Sequence, residues 1–129
     1  MQKKILIVED DAALLKVLLQ KVKSLDYAVV GAGDGAEALI KFKEESPDLV
    51  LLDVVMPIKN GFEVLEEIKV KQKSKVPVII LTNLAEYENI DRGRRLGAAD
   101  YITKSDFTLK EIMLKMERAM EIDEQQKLN

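Results

Sequence analysis

Two kinds of apolar segment alternate along this chain, and that alternation limits its fold more than any other feature. Ile5-Leu6-Ile7-Val8 is a continuous, β-branched apolar run and reads as a buried strand. Ala12 to Leu25 carries Leu14, Leu15, Leu18, Val22 and Leu25 at helical spacing. Tyr27 to Val30 is a second strand, closed by Gly31 and Gly33. Asp34, with Glu37 three residues on, opens a helix to about Glu45 that Pro47 stops. Leu49 to Leu52 is a third strand ending at Asp53, and Met56 to Asn60 is a loop. Gly61 to Lys71 reads as a helix burying Phe62, Val64, Leu65 and Ile68. Val76 to Leu81 is a fourth strand, Glu86 to Leu96 a weak helix with Gly93 inside it, and Ala99 to Thr103 a fifth strand. Thr108 and Glu111 form a capping box for a last helix bearing Ile112, Met116 and Met120.

Strands alternating with helices demand βαβ units, hence a parallel sheet with helices on both faces. The expected class is α/β, a five-stranded parallel sheet. Residues 1–122 form one domain and residues 123–129 a polar tail expected to fray. At 129 residues the chain can bury a core without staples. Lys plus Arg number 20 against 23 Asp plus Glu, so the formal charge is −3, without the broad positive field of a nucleic-acid binder. There is no Cys and no His, which removes disulfides, thiolate metal sites and imidazole chemistry from the chain. A metal would therefore be held by oxygen, as Mg²⁺ is. No run is long enough to span a bilayer and none reads as a signal peptide, so the expectation is a cytoplasmic protein.

In sheets of this class ligands bind beyond the carboxyl ends of the strands. Those ends are Glu9-Asp10-Asp11, Asp53, Thr82-Asn83 and Thr103-Lys104. Clustered carboxylates repel one another, and a divalent cation relieves the repulsion. An exposed Asp53 beside Mg²⁺ and Lys104 suits formation of an aspartyl phosphate.

Taken together, Ile5 to Asp11, Pro47 to Asp53, Met56-Pro57, Gly61, Val78 to Thr82, Gly97-Ala98, Asp100-Tyr101 and Lys104 resemble the receiver domain of bacterial two-component response regulators, of the single-domain chemotaxis type. The resemblance covers residues 3 to about 121. It implies the flavodoxin-like strand order 2-1-3-4-5. It also implies Asp53 as phosphoacceptor, and Asp10, Glu9, Asp53 and the Val55 carbonyl as Mg²⁺ ligands, with Asp10 the main one and Glu9 acting through water. Lys104 would pair with the phosphoryl oxygens, Thr82 would hydrogen-bond them, and Tyr101 would swing inward as Thr82 moves. The face of the fourth helix, fifth strand and fifth helix would then signal a partner.

The donor would be a phosphohistidine on a sensor histidine kinase or phosphotransfer protein, and the output an unidentified protein. The chain would act as a monomer or transient homodimer, with no membrane and no direct nucleic-acid contact. It would catalyse its own phosphorylation and slow dephosphorylation, as a switch first and an enzyme second.

Three positions depart from the family pattern. Ser105 follows Lys104 where Pro is common, Asn83 stands where a small residue is common, and Val55 and Leu84 are apolar where polar side chains can help water attack. Blander readings coexist. Asp10 or Asp11 can be a helix N-cap, Asp53 and Thr82 strand-ending polar residues, Lys104 a solvated lysine, Tyr101 packed core, and Arg92, Arg94 and Arg95 a solvated face. A pseudo-receiver that binds a partner without phosphorylation is the alternative function.

Overall fold

The computed structural model describes residues 2–128. The strands are β1 (Lys4–Val8), β2 (Ala28–Ala32), β3 (Leu49–Leu52), β4 (Val78–Thr82) and β5 (Asp100–Thr103). All pair in parallel, in the order β2-β1-β3-β4-β5. The helices are α1 (Ala12–Lys23), α2 (Gly35–Glu45), α3 (Gly61–Glu66), α4 (Tyr87–Arg95) and α5 (Leu109–Leu128). A π turn, Glu67–Lys71, continues α3, and a 3-10 turn, Lys104–Asp106, follows β5.

Side chains alternate across a strand, and the sheet divides its core accordingly. Leu6, Val8, Val50, Leu52, Val78 and Ile80 face one side, where they meet Phe42 of α2 and Phe62 and Leu65 of α3. Ile5, Ile7, Leu49, Leu51, Ile79 and Leu81 face the other, where they meet Leu18 of α1 and Ile112 and Met116 of α5. β1, β3 and β4 are covered on both faces, which is why their sequences are apolar without interruption.

Several expected boundaries move. β2 runs through Gly31, because its register with β1 extends to Ala32 beside Val8. The helix expected to reach Leu25 ends at Lys23, and β4 begins only after Pro77, which has no N–H for the ladder. Asp34 caps α2 by accepting from the Glu37 N–H at 2.8 Å, and Ser46, just before Pro47, closes the helix in the left-handed conformation (φ 46°). The helix expected over 61–71 is present, but its last turn is widened, with the Gln72 N–H bonded to the Glu67 carbonyl at 2.9 Å. At the C-terminus, residues 123–128, read from sequence as a polar tail, continue α5, where Lys127 pairs with Asp123 one turn back at 3.0 Å. Glu124 also meets Lys3 at 2.6 Å, which ties the end of α5 to the start of β1.

Candidate functional site

The parallel register brings Val8 beside Leu52 and Thr82 beside Thr103, so the residues that follow these strands emerge at one edge. Carboxylate oxygens of Glu9, Asp10 and Asp53 lie there within 4.8 Å of one another. The neighbouring aspartates have separate tasks. Asp11 is the N-cap of α1, with Oδ1 accepting from the N–H groups of Ala13 at 3.0 Å and Leu14 at 3.1 Å. Asp10 is exposed and left to the cluster.

Lys104 enters this cluster from the end of β5. Its ammonium donates to Asp53 Oδ2 at 2.9 Å and to Glu9 Oε1. The second oxygen of Asp53 accepts from the Val55 N–H at 3.1 Å, and that of Glu9 from the Asp11 N–H at 3.2 Å. Lys104 is therefore no freely solvated lysine, and Asp53, expected to be exposed, is buried at 5% exposure, with Lys104 and the Val55 N–H taking up its two oxygens. Burial pushes the Glu9 carboxyl above its ordinary range, against the opposing pull of Lys104. Burial also acts to lower the Lys104 pKa, but hydrogen bonds to Asp53 and Glu9 outweigh it and the net shift is upward. Three carboxylates facing one ammonium form an oxygen-only acidic pocket, a donor set that fits a hard divalent cation such as Mg²⁺.

Thr82 is fully buried at the end of β4, and no hydrogen bond among the described residues joins it to Asp53 or Lys104. Its Oγ1 faces the Leu84 N–H at 3.5 Å, while the Tyr101 hydroxyl donates to the Leu84 carbonyl at 2.6 Å. Both expected switch residues thus meet on one peptide segment, a link that a backbone contact leaves no trace of in sequence. Tyr101 is packed inward. Val55 is exposed, and its backbone N–H is the part turned to Asp53. Asn83 is exposed, and the Lys104–Ser105 bond is trans.

Two glycines set how closely the helices approach this edge. A Cβ on Gly61 would stand 2.3 Å from the Asp53 carbonyl oxygen and 2.5 Å from the Val54 Cα. A Cβ on Gly93 would stand 2.7 Å from Ile80 Cδ1 and 3.0 Å from the Tyr101 ring. Gly93 looks in sequence like a costly interruption of a weak helix; in the fold it lets α4 lie on β4 and β5. Arg92, Arg94 and Arg95 of α4 are all exposed, as a solvated face would be, and two of them also make local contacts. The Arg92 guanidinium lies over the Phe62 ring of α3, 4.4 Å from its centroid, and Arg95 pairs with Asp91 at 2.8 Å.

Sheet order, helix placement and the acidic edge together define a flavodoxin-like α/β domain of the CheY-like kind. The chain belongs to the response regulator receiver domain family, whose model matches residues 5–117, and is therefore a receiver domain of two-component systems. It is 42% identical over 111 residues to a probable transcriptional regulator, ycf27, of Guillardia theta, covering 86% of this chain and 42% of that protein. It is also 42% identical over 106 residues to the alkaline phosphatase synthesis transcriptional regulatory protein PhoP of Bacillus subtilis, covering 81% and 43%. The chain thus spans less than half the length of these relatives. Among solved structures, the CheY-like receiver domain protein of Methanospirillum hungatei superposes with a TM-score of 0.92 at 30% identity, covering 98% of this chain and 99% of that one. No helix among the described residues is long and apolar enough to cross a membrane.

Proposed function

We propose that this receiver accepts a phosphoryl group on Asp53 from a phosphohistidine of a kinase or phosphotransfer protein. The observation that carries the proposal is the Lys104 ammonium bridging Asp53 and Glu9 beside the exposed Asp10. A carboxylate oxygen of Asp53 attacks phosphorus, the new P–O bond replaces the P–N bond, and the imidazole leaves. Lys104 is already within hydrogen-bond reach of the acceptor and can follow the charge onto the phosphoryl oxygens. Glu9, Asp10, Asp53 and the Val55 carbonyl would hold Mg²⁺, which when bound supplies positive charge to the phosphoryl oxygens.

Afterwards Thr82 would reach the new oxygens. Leu84 would carry that movement to Tyr101 and to the α4–β5–α5 face, which would bind the output partner. The decisive experiment is intact mass after incubation with a small-molecule phosphodonor. One added phosphoryl group that requires both Mg²⁺ and Asp53 supports the proposal; no addition together with no Mg²⁺ binding would point to a pseudo-receiver, and Mg²⁺ binding without addition would point to Asn83 blocking access.

Two further results are expected of this site. Because Glu9 is raised from 4.5, its contribution to stability is full below that value and is lost as pH rises through the folded value. Ionising the metal-free pocket is thus a cost, and Mg²⁺ should offset it at neutral pH. At ten times its Kd the ion adds about 1.4 kcal/mol, which for a domain of this size raises Tm by about 5 °C. Thermal melts with Mg²⁺ and with chelator measure this, and equal midpoints would count against a cation site. The second result concerns lifetime. Val55 and Leu84 offer no polar side chain to an attacking water, so the aspartyl phosphate should last minutes or longer. Loss of label within seconds after donor removal would refute that reading, and Val55→Asn should shorten the lifetime.

A further inference from the structure

The opposite end of the domain carries a second concave feature. A cavity of about 550 Å³ lies between the π turn after α3, the entries to β4 and β5, and the second half of α5. That is within the ordinary size of small-molecule sites. Its acids are already partnered. Asp100 meets Lys115 at 3.6 Å and accepts from the Tyr101 N–H at 2.8 Å, while Asp123 pairs with Lys127 at 3.0 Å. The remaining cations are not. Among the described residues no carboxylate oxygen comes within 4.0 Å of the charged groups of Lys69, Lys75 or Arg118, and all three line the cavity.

Lys69 is the informative one. It is half-buried, its ammonium is held on the Ser74 carbonyl at 3.1 Å, and burial pushes its pKa down. Asp123 acts on it only at a distance, outside ion-pair contact, and a positioned, partly desolvated cation with no carboxylate in contact gains from an anion more than a freely solvated lysine does. Arg118 adds a planar fork suited to phosphate, and Lys75 a compact point charge. A monocarboxylate would leave two of these cations unmatched; a condensed phosphate answers all three. Pro77, Ala119 and Ile122 supply an apolar wall beside them, and Ile122 is 45% exposed.

We propose that this cavity binds a small molecule carrying a di- or triphosphate, with its phosphates on Lys69, Lys75 and Arg118 and its apolar body against Ala119 and Ile122. The site lies away from Asp53 and does not depend on the phosphoacceptor proposal. Because the π turn and α5 pack on opposite faces of the sheet, such a ligand would bridge the two layers at β5, where the sheet has an open edge.

The test is an amide NMR titration of the 129-residue protein with ADP, without Mg²⁺, and with pyrophosphate as a second arm. Shifts should cluster on Lys69, Lys75, Ala99, Arg118 and Ala119, with a Kd below about 1 mM. Pyrophosphate should move the same cationic positions and leave Ile122 still. Exposed Lys75→Gln and Arg118→Gln together should weaken ADP at least about tenfold, a loss of about 1.4 kcal/mol, while Lys16→Gln on α1 should leave binding unchanged. No shifts at millimolar ADP would overturn the proposal. So would shifts centred on the Asp53 edge, or equal weakening by Lys16→Gln.

Discussion

Asp53→Asn should abolish phosphoryl uptake from a small-molecule donor, lowering its rate by at least about 10³-fold, the scale on which removal of a nucleophile acts. The substitution keeps the volume and the amide oxygen that can accept from Lys104, so the fold should survive; the lost group is the charged oxygen that attacks phosphorus. It also removes one of the three carboxylates that crowd the edge. The variant should therefore gain less from Mg²⁺ than the parent while melting no lower without it. Intact mass and thermal midpoint together make this check. Continued uptake by the variant would move the acceptor elsewhere and leave the Lys104 bridge without its proposed purpose.

Gly61→Ala should be strongly destabilising. Its Cβ would fall 2.3 Å from the Asp53 carbonyl oxygen and 2.5 Å from the Val54 Cα. These are backbone atoms of a buried strand end, so no rotamer change relieves the overlap. Overpacking of this kind costs about 3 kcal/mol, set against a helix-propensity gain of about 1 kcal/mol that an interior Gly→Ala change would bring. At the first position of α3, where Asn60 and Glu63 already form a capping box, that gain is smaller still. Either α3 moves outward or Asp53 moves, and the second outcome shifts Asp53 away from Lys104. The variant should show a lower denaturant midpoint and slower phosphoryl uptake than a surface variant of equal stability. An unchanged midpoint would mean that the close approach is not maintained in solution.

The order of elements, the two-sided burial of the central strands and the list of residues at the carboxyl edge were all legible in the sequence. Each follows from local chemistry: continuous β-branched runs, helical spacing of Leu and Ile, and caps at Asp34 and Thr108. Once a parallel sheet is inferred, the strand-end residues Glu9, Asp53, Thr82 and Lys104 must share an edge, and the strand register brings them to it. What sequence could not distinguish were choices made between elements. Which of Asp10 and Asp11 caps α1 depends on backbone direction at one residue, and the answer, Asp11, frees Asp10 for the cluster. Likewise the contacts of Thr82 and Tyr101 pass through the Leu84 backbone, which no side-chain pattern encodes.

Gly93 and Arg92 show the same division more sharply. Local propensity marks Gly93 as a defect, yet α4 needs it to approach Ile80 and Tyr101; Arg92 is exposed as expected, and what the chain does not show is that its guanidinium also lies over Phe62. The last turns of α5 look like a polar tail because their partners, Lys3 and an i,i+4 ion pair, contribute no apolar signal. Periodicity and capping act within a few residues and are written in the chain. Close approach, ion pairing across the sheet and the geometry of the Glu9–Asp53–Lys104 cluster span separations of 51 and 95 residues, and exist only once the strands are in register.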